Sequence, residues 1–406
     1  EARWDRAREA LADAVTPLPP ARLPVAECDG LVLARDLLAL TALPAFDTSA
    51  MDGWAVSGPG PWSIVGASLA GLPEAGPLEP GQAVIIATGG VVPGGADAVV
   101  RSEDGAVREA DGARELVAPT PASRTHVRPA GEECAVDEVL ALAGTRLTPA
   151  LLGLAAAAGH DVLAVVPRPR AALVLLGDEL ATAGIPPTGM VRDSLGPQVP
   201  AWLARMGVDV VAVDSSPDTL ETHVEAIHRA SAAADVVLTT GGTAAGPVDH
   251  LHAAIAACDG EVLVDSVAVR PGHPMLAGTV CSGSTWIVGL PGNPQSAIVT
   301  LMSLGAPIVA GLAGLPALPD LVTVTAAQDL TAPEQEDRLV LGTVHDGVFQ
   351  PGTHLGSAML RGLAGATGFA VLPPGGVGPG AALRWLPLPQ CCLLYTSDAA
   401  DDLVSV

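Results

Sequence analysis

Apolar positions at helical spacing open the chain. In EARWDRAREALADAV, Trp4, Ala7, Leu11 and Ala14/Val15 recur every three or four residues with charges between them, which predicts an amphipathic helix. The run TPLPP at 16–20 stops it, because proline cannot donate to a helix ladder. Residues 44–140 carry short apolar runs (WSIVG, QAVII, ADAVV) broken by Gly and Pro, the pattern of a small β-rich domain. TRLTPALLGLAAAAG at 145–159 reads as a second helix, with Thr148 as N-cap and Pro149 in the first turn, where its missing N–H costs nothing.

From about 169 to 315 the pattern alternates. AALVLL (171–176), VDVVAV (208–213), DVVLTT (235–240) and TWIVGL (285–290) are strand-like, and helical segments at 197–206, 218–233 and 249–257 separate them. This order predicts a mostly parallel sheet covered on both faces, with ligands at the carboxyl ends of the strands. Residues 297–315 are uncharged but contain Pro307 and follow a turn, so they read as a buried helix rather than a membrane span. From 319 to 390 short strands and Gly/Pro turns return and suggest a small barrel or sandwich. The last sixteen residues, 391–406, hold the chain's one Tyr and a doubled Cys. They resemble translated non-genuine sequence and are set aside.

Composition narrows the chemistry. At 406 residues with 49% hydrophobic and 16% charged positions, the chain can bury several cores and is not a disordered polymer. All 20 basic residues are Arg, which excludes Schiff-base lysines and Walker-type phosphate loops. A net charge of −24 argues against nucleic acid as a partner. Cys28, Cys134, Cys258 and Cys281 are far apart and form no C-x-x-C pair. They read as buried, reduced thiols of a cytosolic protein rather than zinc ligands. The chain starts at Glu1 rather than Met and shows no basic segment leading into an apolar one. Its natural start is expected upstream.

Polar groups gather in the loops that end the predicted strands. Asp178 and Glu179 follow AALVLL; two acids there could hold Mg²⁺, act as a base, or cap a helix in a solvated turn. TTGGTAAG at 239–246 can aim backbone N–H groups at an oxyanion, unless it is a structural turn. RPGHP at 270–274 puts Arg270 and His273 on one stiff turn, either as an oxyanion clamp or as solvated surface. GLPGNP at 289–294, with Asn293, is another anion seat or a proline-stiffened helix start. Ahead of the β-rich region, FDTSAMDGWAV at 46–56 packs two Asp, Thr and Ser into a short loop, as a site or as a polar turn.

Together these segments resemble one family, the molybdopterin molybdenumtransferases of the MoeA type, shared with the E domain of gephyrin. FDTSAMDGWAV is similar to the family's FDNSAMDGYAV, and ATGGVVPGGADAVV to MTGAPVPEGADAVV. LGDEL, TTGGTAAGPVD, RPGHP and GLPGNPQSA follow, in the family's order, TGDEL, TSGGVSVGDYD, KPGKP and GLPGNPVSA. The resemblance runs from near residue 1 to about 390.

It implies an α/β multidomain protein. An elongated N-terminal domain (1–43 plus 141–168) would carry an inserted β-rich domain (44–140). A doubly wound molybdopterin-binding α/β domain (169–316) and a C-terminal β-barrel (317–390) would follow. It further implies a cytoplasmic homodimer in which the N-terminal half of one subunit meets the α/β domain of the other. The implied reaction inserts molybdate into adenylylated molybdopterin, with Mg²⁺ assisting and AMP released.

Carried over residue by residue, the resemblance assigns catalytic roles to Asp52, Thr88, Glu179 and Asp249. Substrate contacts fall on Thr240, Gly241, Gly242, Arg270, His273, Asn293, Ser194 and Arg128. Metal binding falls on Glu179 and Asp178. Glu133 and, more loosely, Arg338 occupy further family positions. The sequence departs from the pattern at Arg270 and His273, where lysines are usual, and at Ser266, where a third is usual. Asp193–Ser194–Leu195 replaces DSN, Ser215 stands where an acid is usual, and Arg361–Gly362 replaces a Ser pair. A molybdopterin-binding paralogue acting as carrier or scaffold is therefore the alternative. A stand-alone adenylyltransferase or pyrophosphatase is disfavoured by the inserted β domain.

Overall fold

The computed structural model describes residues 2–69, 71, 76–110, 112–243 and 250–389. The set-aside tail, 391–406, and Asp249 lie outside the described residues. Two compact units divide the chain: 22–29 with 33–165, and 1–21 with 30–32 and 166–406.

In the first unit the three expected β runs join one six-stranded sheet. Its order is Ala98–Arg101, Gly53–Val56, Gln82–Ile86, Trp62–Ser68, Ala113–Val117, Ala106–Ala110. Val84, Ile86 and Val99 bury one set of side chains and Trp62, Val100 and Leu116 another, as the two-residue period of strands requires. Outside this sheet, Leu37–Leu38 pairs with Val139–Ala141, and the Leu40 N–H donates to the Ala158 carbonyl at 3.0 Å. Ala158 follows the helix Pro149–Ala157, whose Thr148 hydroxyl accepts from the Leu151 N–H at 3.3 Å. The N-cap read from the sequence is thus formed.

The second unit holds the α/β sheet, ordered Asp209–Ser216, Arg170–Leu176, Val236–Thr240, Thr285–Leu290, Leu276–Val280, Glu261–Asp265. The first four strands are parallel, and the last two run antiparallel to their neighbours. These last two escaped the sequence reading, since LAGTV and EVLVD are short and one is interrupted by Gly278. Along Arg170–Leu176, Ala171, Leu173 and Leu175 enter one core, while Ala172, Val174 and Leu176 enter the core on the other face. Helices on both sides supply those cores, so the strand is apolar along its whole length.

The N-terminal helix, Trp4–Ala14, buries Trp4, Ala7 and Leu11 in this unit's larger core. The Trp4 Nε1–H donates to the Ser303 hydroxyl at 2.8 Å. Ser303 sits in the uncharged stretch flagged above. That stretch forms a helix over Pro294–Leu312 with 89% of its most apolar window buried, which makes it a core helix. Its middle turn, Leu301–Gly305, widens to a π-turn ahead of Pro307, because the proline lacks an N–H and its ring would crowd the preceding turn.

The C-terminal strands close into a five-stranded barrel in the order Asp337–His345, Val348–Pro351, Val322–Ala326, Ala382–Pro387, Gly368–Leu372. Closure comes from antiparallel pairing of the last strand with the first. Phe349, Leu372, Leu383 and Trp385 fill the interior. A short strand, Val269–Arg270, pairs in parallel with Asp337–His345 and places Arg270 beside Arg338.

Candidate functional site

The loop 46–52 in the β-rich unit is held by its own side chains. Thr48–Ser49 pairs with Val127–Arg128, with Arg128 opposite Thr48. The Ser49 hydroxyl donates to the Met51 carbonyl at 2.5 Å. Asp47 accepts from Arg124 Nη1 at 2.5 Å and from the Ala130 N–H at 2.8 Å. These contacts, the Arg124 hydrogen bond foremost, hold its carboxyl below the usual range. Asp52 Oδ1 accepts two hydrogen bonds from Thr88, from the backbone N–H at 2.7 Å and the hydroxyl at 3.0 Å. The N–H bond, then the hydroxyl, lowers the Asp52 pKa, so an exposed carboxylate stays ionised and fixed in direction. Asp52 and Thr88, 36 residues apart, are therefore brought together. Glu133 is exposed, and its N–H donates to the Leu43 carbonyl.

Gly53 follows Asp52 with φ +154°. A Cβ there would lie 2.0 Å from the Val100 carbonyl oxygen, so only glycine lets the strand carrying Asp52 enter the sheet.

In the α/β unit, strand register places the remaining candidate loops at one edge. Leu175 aligns with Thr240 and with Ser215, and Thr240 aligns with Leu290. Gly289 aligns with Leu276, and Leu276 with Asp265. The loops at 177–180, 217–219, 241–243, 266–275 and 291–293 consequently leave the sheet on the same side. Gly241 and Gly242 have φ of +82° and +66°, the left-handed region that favours glycine. The Gly241 N–H itself donates to the Leu290 carbonyl at 2.8 Å. Thr240 is buried in the strand, 2% exposed.

Two cavities open along this edge. The first, of about 220 Å³, is lined by Gly177, Asp178, Asp193, Ser215 and Pro217 among others. Asp178 and Asp218 bond reciprocally, each carboxylate accepting from the other's N–H at 3.3 and 3.4 Å. Asp193 Oδ1 accepts from the N–H groups of Leu195 and Gly196 at 3.0 and 2.9 Å. It caps the helix Leu195–Arg205, whereas Ser194, at the N-cap position, makes no side-chain cap. Asp178 and Glu179 are exposed carboxylates. Exposed oxygens of this kind could serve Mg²⁺, which takes one or two carboxylates and completes its octahedron with water and substrate phosphates. Among the described residues no group of three or more His, Cys, Asp or Glu forms an all-protein cage.

The second cavity, of about 290 Å³, joins the RPGHP turn to the barrel. Arg270, His273, Asn293, Ser296, Arg338 and Ser357 contribute to it. Three cation-capable side chains among hydroxyl and amide donors suit an anion. Arg270 Nε donates to Glu336 Oε2 at 2.8 Å, and Arg338 Nη1 donates to the Thr331 carbonyl at 2.8 Å.

Of the sequence candidates, Arg270, His273 and Asn293 share this cavity, and Asp178 lines the other. Sequence reasoning gave no role of their own to Asp193, Asp218, Glu336 and Gln295, and did not anticipate the Asp47–Arg124 bond. Asp193 was legible in principle, because an Asp two residues before a helix start is a capping signal. Glu336 was not, since 66 residues separate it from Arg270.

Comparison with known proteins gives a consistent picture. Residues 2–159 match the family described as "MoeA N-terminal region (domain I and II)". Residues 172–311 match "Probable molybdopterin binding domain", and 323–388 match "MoeA C-terminal region (domain IV)". The chain is 36% identical over 317 residues to "Molybdopterin molybdenumtransferase 2" of Mycobacterium tuberculosis, covering 73% of this chain and 76% of that protein. It is 30% identical over 367 residues to the "Molybdopterin molybdenumtransferase" of Nostoc sp., covering 86% and 83%. Among solved structures, the "molybdopterin biosynthesis moea protein" of Pyrococcus horikosii superposes with a TM-score of 0.81 at 22% identity, covering 96% and 99%. That likeness concerns the fold.

Proposed function

The chain belongs to the MoeA family, and from that premise we propose that it is a molybdopterin molybdenumtransferase acting in molybdenum cofactor biosynthesis. In this reading it inserts molybdate into adenylylated molybdopterin and releases AMP, as a cytoplasmic homodimer. The observation that carries the reading is the gathering of five loops at one edge of the α/β sheet, with an arginine-lined cavity at one point and two exposed carboxylates at another. The division into an N-terminal, an inserted β-rich, an α/β and a barrel domain, with boundaries at 1–43 plus 141–168, 44–140, 169–316 and 317–390, is proposed with it.

The substrates are anions on a protein of charge −24, so local donors must hold them. The glycine turn at Gly241 and Gly242 seats the pterin or its phosphates, the Gly242 amide serving as donor because that of Gly241 is held by the Leu290 carbonyl, with Thr240 at the strand end and Ser194 at the entry of the neighbouring helix. Arg270, His273 and Asn293 hold oxyanion oxygens by charge-assisted and neutral hydrogen bonds. When bound at Glu179 and Asp178, Mg²⁺ supplies Lewis-acid polarisation of the phosphoanhydride that is broken. Asp52, kept ionised and aimed by Thr88, is assigned the orienting of molybdate or of an attacking water, and Asp249 the same kind of role. Arg128 contributes a further guanidinium for phosphate. Their shared task is to place reactants and stabilise developing charge in a preorganised site.

Purified protein mixed with adenylylated molybdopterin, Mg²⁺ and molybdate tests the reading. Molybdate-dependent AMP release with formation of the metal-bound cofactor is expected. Pterin binding without that release would replace it with the carrier reading, which His273 in a usual lysine position motivates, since an imidazole ring is shorter than a lysine stem and offers fewer N–H donors.

A further inference from the structure

Gln295 is 2% exposed and lies one residue beyond the Pro-Gly-Asn-Pro turn. Its Nε2 donates to two carbonyls of a distant barrel loop, those of His354 and Met359, each at 2.7 Å. Its backbone N–H donates to the Ser357 carbonyl between them at 2.9 Å. One residue of the α/β domain thus grips three points within six residues of the barrel. That loop supplies Ser357 to the cavity whose other side carries Arg270, His273 and Asn293. The family motif resembled by this segment has Val at the position, which offers no side-chain donor.

We propose that Gln295 is a positioning residue that pins the loop 353–359 and so sets the oxyanion affinity of the cavity. The inference rests on the transferase reading for the identity of the oxyanion, but the pinning itself does not. Both amide hydrogens of Nε2 are spent on loop carbonyls, so Gln295 does not touch the substrate. Its influence passes through Ser357. Removing the amide takes the Nε2 donor from two part-buried carbonyls at once, which loosens the loop from the helix and favours its opening to water. Opening withdraws Leu355 and Ser357 from the cavity while the RPGHP turn and Arg338 stay in place.

The test uses the full chain with Gln295→Leu, which keeps volume and removes both donors, and Gln295→Val, which restores the family residue and is expected to fold. Amide exchange over 355–359 should quicken by about tenfold or more, as loss of two hydrogen bonds predicts. Exchange in the strand Arg170–Leu176 should stay unchanged. Molybdate affinity, read by titration calorimetry, should weaken about tenfold. The KM for molybdate should rise in step, with kcat retained at saturation. Unchanged exchange at 355–359 in both variants overturns the pinning. Faster exchange with unaltered molybdate affinity, or a fall in kcat alone, overturns the role in affinity. If the wild-type protein binds no molybdate, the transferase reading fails, and the exchange result still decides the pinning.

Discussion

Replacing Gly53 by alanine tests how the Asp52 loop is carried. The new Cβ would stand 2.0 Å from the Val100 carbonyl oxygen and 3.0 Å from the Arg101 Cα. Relief requires the strand to move by about 1 Å, from 2.0 Å to the 3.0 Å that real contacts respect. It cannot move freely, because Gly53 is flanked by Ile86 on one side and Arg101 on the other. Overpacking, a backbone conformation that L-residues avoid and a weakened ladder hydrogen bond together cost about 3–6 kcal/mol. A control in the same sheet is Gly66→Ala, whose Cβ meets nothing closer than 3.9 Å and should change stability by about 0.5 kcal/mol or less. Urea unfolding followed by fluorescence reads both variants, since Trp54 and Trp62 lie in this sheet. Molybdate-dependent AMP release should drop about 100-fold in Gly53→Ala, because a shift of about 1 Å misaims Asp52. A Gly53→Ala protein within about 1 kcal/mol of Gly66→Ala would refute this steric reasoning.

Other outcomes follow from the same structure. Asp52→Ala or Glu179→Ala should lower turnover by about 100-fold or more while the unfolding midpoint stays put, since both are exposed loop-end acids; steady-state assays paired with thermal melts check this. Thr148→Ala should cost about 1 kcal/mol and quicken amide exchange at the start of Pro149–Ala157, leaving the barrel's exchange unaltered. Asp47, whose folded pKa is depressed by Arg124, contributes stability that is complete above its unfolded pKa of about 3.9 and is lost as pH falls through the lower folded value. Asp47→Asn should therefore remove part of the acid sensitivity seen in urea midpoints below about pH 4.

Periodicity and turn chemistry carried much of the architecture. The first helix, the Thr148 cap, the four parallel strands and the β-rich insert are local consequences of side-chain spacing, proline placement and β-branched runs. Each is decided within a few residues, so each is written along the chain. The loops FDTSAMDGWAV, LGDEL, RPGHP and GLPGNP were likewise visible as concentrations of polar and cation-capable groups. Their order also carried the family resemblance that the comparisons bear out.

Folding decided which groups actually meet. Asp52 receives Thr88 from 36 residues away, Arg270 receives Glu336 from 66, and Gln295 grips carbonyls 59 and 64 residues downstream. The two antiparallel strands of the α/β sheet and closure of the barrel by pairing of Asp337–His345 with Gly368–Leu372 belong to the same class. Propensity and period act over a turn or a strand, whereas these contacts arise when sheets and barrels bring remote backbone within hydrogen-bond reach. Their donors and acceptors are ordinary in composition, and only the geometry of packing gives them partners.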